Sequence, residues 1–123
     1  MDYTEKTIIL LKRTSKFGEN IIELCAGVKP NFINRPIINQ LVRSGTSIGA
    51  NYCEAVNASS KRDFRNRIFI CKKEVQETKH WLQMLSKSNA DVKDKARMLW
   101  RECHEFVMIF QSTINTLNKK TKQ

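Results

Sequence analysis

Helix breakers are what this sequence has least of: four glycines and two prolines in 123 residues. They leave four long segments, and the apolar–polar alternation of a strand occurs in none of them. Long hydrophobic runs are missing as well, none approaching the roughly 20 residues needed to cross a bilayer. The start, MDYTEKTIILLKRT, lacks the basic stretch, apolar run and small-residue cleavage site of a signal peptide. A cytoplasmic protein without a membrane partner is expected. Cysteine pairs are absent too: Cys25, Cys53, Cys71 and Cys103 occur singly, without the CxxC spacing of a zinc site. Four separate structural thiols, behaving as small buried hydrophobes, are expected, with no cofactor.

Acidic residues are the last scarcity, 12 Asp+Glu against 22 Lys+Arg, for a net charge of +10. That balance favours polyanionic partners such as RNA, DNA or an anionic membrane surface, and charge alone does not choose among them. The length suits one core and is too short for two.

What is present is helical periodicity. Leu10, Phe17, Ile21, Leu24 and Val28 lie on one stripe, with Thr14 in the missing slot. Pro30 and Pro36 then interrupt, although Pro36 suits a first helical turn. Ile38, Leu41, Gly45, Ile48, Tyr52 and Val56 share one side of the second segment. Ser60 with Asp63 resembles a capping box ahead of the third, where Phe64, Ile68, Cys71, Val75, Thr78, Leu82 and Leu85 alternate spacings of four and three. Ser88 and Asn89 are capping candidates for the fourth, which repeats the pattern through Val92, Ala96, Leu99, Cys103, Phe106 and Phe110. The expected fold is all-α: one antiparallel up-down-up-down four-helix bundle over residues 1–118, with helices at about 4–28, 35–57, 61–87 and 90–117. Residues 119–123 are expected to be a frayed basic tail.

At 100° per residue, the third helix carries two further faces. Lys61, Arg62, Arg65, Lys72, Lys73 and Lys79 make one flank almost wholly basic. Ile70, Trp81 and Met84, with Glu74 and Glu77, make a second apolar stripe on the other flank. Trp81 either lies flat on the bundle with its indole N–H in water or is buried against another subunit. The second is preferred, because a monomeric bundle helix needs one buried stripe. In the second helix Arg43, Ser44, Ser47, Asn51 and Glu54 form a polar stripe, and Gly45 and Gly49 point to close approach of another helix. If the two helices form an antiparallel hairpin, residues whose numbers sum to about 120 stand at equal height. Arg43 then pairs with Glu77, Ser47 with Glu74, and Glu54 with Arg67.

RSGTSIGANYCEA followed by FRNRIFICKKEVQETKHWLQML resembles the signature of the bacterial four-helix-bundle family encoded within 23S rRNA intervening sequences. Ser47, Asn51 and Glu54 match its S-x-x-x-N-x-x-E pattern, and Glu74, Glu77, Trp81 and Leu82 match its E-x-x-E-x-x-x-W-L pattern. The resemblance implies a ring-shaped homo-oligomer, typically a pentamer, without recognised enzyme activity. By fold, a more distant resemblance is to the accessory variability protein of diversity-generating retroelements, a basic pentamer that associates with a reverse transcriptase and nucleic acid.

The leading expectation is a non-enzymatic nucleic-acid-associated adaptor. Its phosphate contacts would be Lys61, Arg62, Arg65, Lys72, Lys73 and Lys79 with the tail lysines Lys119, Lys120 and Lys122. The bland alternative is that the basic flank only keeps an oligomer soluble. No RNP, zinc-finger or helix-turn-helix pattern supports base readout. The alternative function is a protein scaffold or accessory subunit, for example of a reverse transcriptase. A bundle di-metal enzyme is disfavoured: Glu77 and His80 form one E-x-x-H, but Arg101 stands three before His104.

Overall fold

The computed structural model describes residues 4–122, with side-chain surroundings up to residue 119. Four α-helices account for nearly all of it: α1 (Glu5–Ala26), α2 (Asn34–Val56), α3 (Lys61–Ser88) and α4 (Lys93–Lys122). A single 3₁₀ turn, Ala90–Val92, leads into α4, and no strand occurs among the described residues. Among the described residues no helix is long and apolar enough to cross a membrane.

Local chemistry sets the ends. The Thr4 hydroxyl accepts the Thr7 amide at 3.2 Å and starts α1. Ser60 Oγ accepts the Asp63 amide at 3.1 Å and starts α3, while the Asp63 carboxylate turns to the Ser59 hydroxyl at 2.7 Å. Half of the expected capping box therefore forms, with Ser59 as the return partner. Ser88 and Asn89 do not cap α4 as expected. Ser88 Oγ bonds back to Leu85 O, and Asn89 Oδ1 is occupied by Asn34. α4 runs on to Lys122, into the stretch read from the sequence as a tail. Nothing in NKKTKQ breaks a helix, and cations there suit the negative end of the helix dipole. The side chains of Lys120 and Lys122 lie outside the described residues.

The expected stripes form the core. Phe17, Ile21, Leu41, Ile48, Ile68, Val75, Leu82, Phe106 and Phe110 are fully or almost fully buried, each worth about 1.5–3 kcal/mol of transfer energy. Phe17 meets Phe106 edge-on, with centroids 5.5 Å apart at 88°. Cys25, Cys71 and Cys103 are buried as expected, and burial pushes their thiols up to about 11, 12 and 12 respectively. Cys53 is exposed, correcting the expectation of four buried thiols, because Tyr52 and Ala55 take the inward positions of that turn.

The helices pack mainly on their neighbours in sequence, α1 on α2, α2 on α3 and α3 on α4. In each of these pairs the contacts run in opposite numerical order. Gly45 lies against Ile21 and Gly49 against Thr14; Arg43 lies against Glu77 and Glu54 against Arg67; Arg65 lies against Asn118 and Lys79 against Trp100. The glycines of α2 admit α1: a Cβ on Gly45 would stand 2.8 Å from Ile21 Cγ1, and one on Gly49 would stand 3.3 Å from the Thr14 backbone. α1 and α4 meet more sparingly, through Phe17 with Phe106 and through Arg13 with Glu102 at 3.3 Å and Glu105 at 2.9 Å.

One buried polar group ties two connections at the same end of the bundle. Asn34 is fully buried. Its Oδ1 accepts the Asn31 amide at 2.8 Å, and its Nδ2 donates to Lys29 O at 3.0 Å and to Asn89 Oδ1 at 3.2 Å. The α1–α2 connection is thereby fastened to the α3–α4 connection.

Candidate nucleic-acid face and assembly seam

Opposite flanks of α3 carry two different arrangements. Toward α2 lies a charged seam. Arg43 reaches both glutamates of α3, with Nη1 3.1 Å from Glu74 Oε2 and Nη2 bonded to Glu77 Oε1. Gln40 Oε1 accepts Arg43 Nε at 3.3 Å and steadies the guanidinium from its own helix. That fork explains both electrostatic shifts in the seam. The hydrogen bond from Arg43 holds the Glu77 carboxyl below its ordinary range, and the same bond raises the Arg43 guanidinium.

Further along the seam, Arg67 Nη1 lies 2.6 Å from Glu54 Oε2 and 3.4 Å from Asn51 Oδ1. Two of the three expected cross-helix pairs are thus present, and Asn51 joins the second. The third, Ser47 with Glu74, does not form. A serine side chain is short, so Ser47 Oγ bonds back to Arg43 O at 2.6 Å, and Arg43 takes Glu74 instead. Ser44, from the same polar stripe, is fully buried and shares a 2.9 Å hydrogen bond with Thr78 of α3. Helical angle alone could not place it, because the wide contact with α3 covers more than one stripe of α2.

Trp81 is only partly buried and packs against the core. Its indole N–H donates to Glu77 Oε1 at 3.4 Å, so the N–H finds a partner within its own chain. Ile70 and Met84, from the same flank, stay exposed at 37% and 36%.

The basic flank turns the other way, and half of it reaches α4. Arg65 Nε donates to Asn118 Oδ1 at 3.0 Å, Lys72 Nζ to Gln111 Oε1 at 2.6 Å, and Lys79 Nζ sits 4.4 Å from the centre of the Trp100 ring. Lys61, Arg62 and Lys73 are exposed, as is Lys119 on α4. None of these cations forms a salt bridge among the described residues, although Lys73 is close enough to Glu77 to help lower its pKa.

α4 extends this face with cations that the sequence reading passed over. Lys93, Arg97 and Arg101 recur every four residues beside Trp100, a signal visible in KDKARMLWRECH. His104 is exposed, its ring parallel to that of Trp100 within 3° at 6.3 Å, and His80 is exposed beside Trp81. Among the described residues no three of His, Cys, Asp and Glu gather as metal ligands would.

The model of the family described as 23S rRNA-intervening sequence protein matches residues 6–112, which takes in the seam and most of the basic face. The chain belongs to that family. Its fold is also similar to a crystal structure of a protein of unknown function from the S23 ribosomal protein family of Bacteroides thetaiotaomicron VPI-5482. The two share 29% identity over 89% of this chain and 98% of that one, with a TM-score of 0.76. Comparison with curated proteins finds no match. The family's S-x-x-x-N-x-x-E and E-x-x-E-x-x-x-W-L residues fall almost entirely in the α2–α3 seam.

Proposed function

We propose that this family member is a non-enzymatic adaptor that binds RNA or DNA through the phosphate backbone and acts as an antiparallel up-down-up-down bundle assembled with copies of itself. A pentameric ring in the cytoplasm is the form its resemblance favours. The observation that carries the reading is the separation of charge. The carboxylates at the seam and between α1 and α4 are taken by Arg43, Arg67 and Arg13, while among the described residues the cations of the α3–α4 face have no anionic partner in salt-bridge range. A phosphate backbone supplies those anions without base readout, and a net charge of +10 per chain, multiplied by assembly, strengthens the attraction. The family's description, which refers to 23S rRNA, is in keeping with an RNA partner. Exposed Ile70 and Met84 beside the seam support a contact between subunits there.

A second reading, a protein-binding scaffold such as an accessory subunit of a reverse transcriptase, is favoured by exposed Ile9, Met98 and Met108 on α1 and α4. Salt separates the two. Retention of RNA or single-stranded DNA should be strong at low salt and fall steeply as salt rises, whereas an apolar protein contact should hold. No retention of either nucleic acid at low salt would sink the adaptor reading. A native mass equal to one chain would remove the ring.

A further inference from the structure

Between α3 and α4 lies a cleft of about 440 Å³ whose charged lining is entirely cationic. Lys93, Arg97 and Arg101 line it from α4 with the Trp100 ring, and Gln83 and Ser86 close it from α3. The three cations stand four residues apart on one helix, about 6 Å of rise between each. That is comparable to the separation of successive phosphates on an extended strand. None of them forms a salt bridge among the described residues.

Trp100 is unusual in this setting. Residues 96 and 99 beside it are buried, yet the indole keeps 36% of its surface exposed at the cleft. It is held in place from within the protein. Lys79 Nζ sits over the ring at 4.4 Å, and the His104 ring lies parallel to it. A fixed, partly open aromatic face bordered by unpaired cations, with no acid in the lining, is the combination that binds an unstacked base and its flanking phosphates. A duplex cannot offer that base, because its faces are covered by neighbouring pairs.

We propose that this cleft is a stacking site for one unpaired base of a single-stranded nucleic acid, with Trp100 as platform and Lys93, Arg97 and Arg101 holding adjacent phosphates. The inference rests on the nucleic-acid reading above and deepens it: the ligand is a single strand, and the site is on α4 as much as on α3.

The test is fluorescence anisotropy of short labelled single-stranded RNA, single-stranded DNA and a duplex of the same base order, titrated with the full-length protein over a range of salt. The single strands should bind more tightly than the duplex, and the comparison of RNA with DNA shows whether the ribose hydroxyl contributes. Trp100→Ala should weaken single-strand binding by about tenfold with an unchanged salt slope, while Trp100→Phe keeps most of the affinity. Arg97→Gln with Arg101→Gln should weaken binding and lower the salt slope by about two. Unchanged single-strand affinity in Trp100→Ala, beside normal salt-dependent binding by the parent protein, overturns the cleft and leaves the adaptor reading standing. Absence of binding by the parent protein overturns both. Should Trp100→Ala lose helical circular dichroism, the exposed double-glutamine variant decides: a salt slope equal to the parent's overturns the cleft.

Discussion

Ser44 on α2 and Thr78 on α3 share a 2.9 Å hydroxyl–hydroxyl hydrogen bond at full burial. Each hydroxyl also has a fallback on its own helix, Thr78 Oγ1 to Glu74 O at 2.8 Å and Ser44 Oγ to Leu41 O at 3.4 Å. Removing one partner therefore leaves the other only partly satisfied. Ser44→Ala and Thr78→Val should each cost about 1 kcal/mol, and the double variant less than their sum. Urea denaturation of the four proteins in the cycle measures the coupling. Strictly additive costs would show that the bond joins nothing.

Three helical glycines should respond differently to alanine. At Gly45 the new methyl meets Ile21 Cγ1 at 2.8 Å and Cγ2 at 3.0 Å, and Ile21 is a stiff, fully buried side chain. Gly45→Ala should cost about 1–3 kcal/mol. Gly49→Ala should cost less than Gly45→Ala but still destabilise, since it presses on α1 backbone at 3.3 Å. At Gly18 the nearest atom is 3.5 Å away, an ordinary contact, so Gly18→Ala should gain about 0.5–1 kcal/mol from helix propensity. Thermal unfolding orders the three, and a destabilised Gly18→Ala would contradict the spacing.

The Arg43–Glu77 contact makes a statement about acid stability. Glu77 is held below its ordinary value of 4.5 in the folded chain. The unfolded chain consequently binds the proton first, and the stabilisation is present above that value and lost as pH falls through the lower folded one. Both side chains remain partly exposed, 45% for Arg43 and 32% for Glu77, so the effect is under about 1 kcal/mol. Arg43→Gln should lower the melting temperature slightly at neutral pH and converge with the parent in strong acid. A constant offset across that range would remove the ion pair as the cause.

Thiol reactivity should divide the cysteines three to one. Cys25, Cys71 and Cys103 are buried, with pKa values pushed to about 11, 12 and 12, which leaves almost no thiolate near neutrality. Titration with a disulfide reagent should modify Cys53 in the native protein and all four after denaturation. Cys53→Ser should abolish the native reaction, and rapid native modification of a second thiol would contradict the burial.

The sequence made the helices and their inward stripes legible because spacings of three and four repeat without interruption, as from Phe64 to Leu85. Arg43 with Glu77 and Glu54 with Arg67 were legible for a related reason: a short connection sets which residues stand at equal height. The wheel gives an angle about one helix and says nothing of what covers it. Lys72, Arg65 and Lys79 were therefore read as a free basic flank, although α4 supplies each with a partner. Asn34 was illegible because Asn89, the partner that makes it a tie, comes from the distant α3–α4 connection. The cleft at Trp100 was missed because its lining is divided between two helices.

Because each helix packs chiefly on the one next to it in the chain, nearly every contact forms across a short connection. Little chain entropy has to be spent before native contacts begin to reward the search. Such a topology belongs with the fast-folding helical proteins, which reach the native state in microseconds to milliseconds. A nascent chain can then complete each hairpin of helices as soon as its second arm emerges.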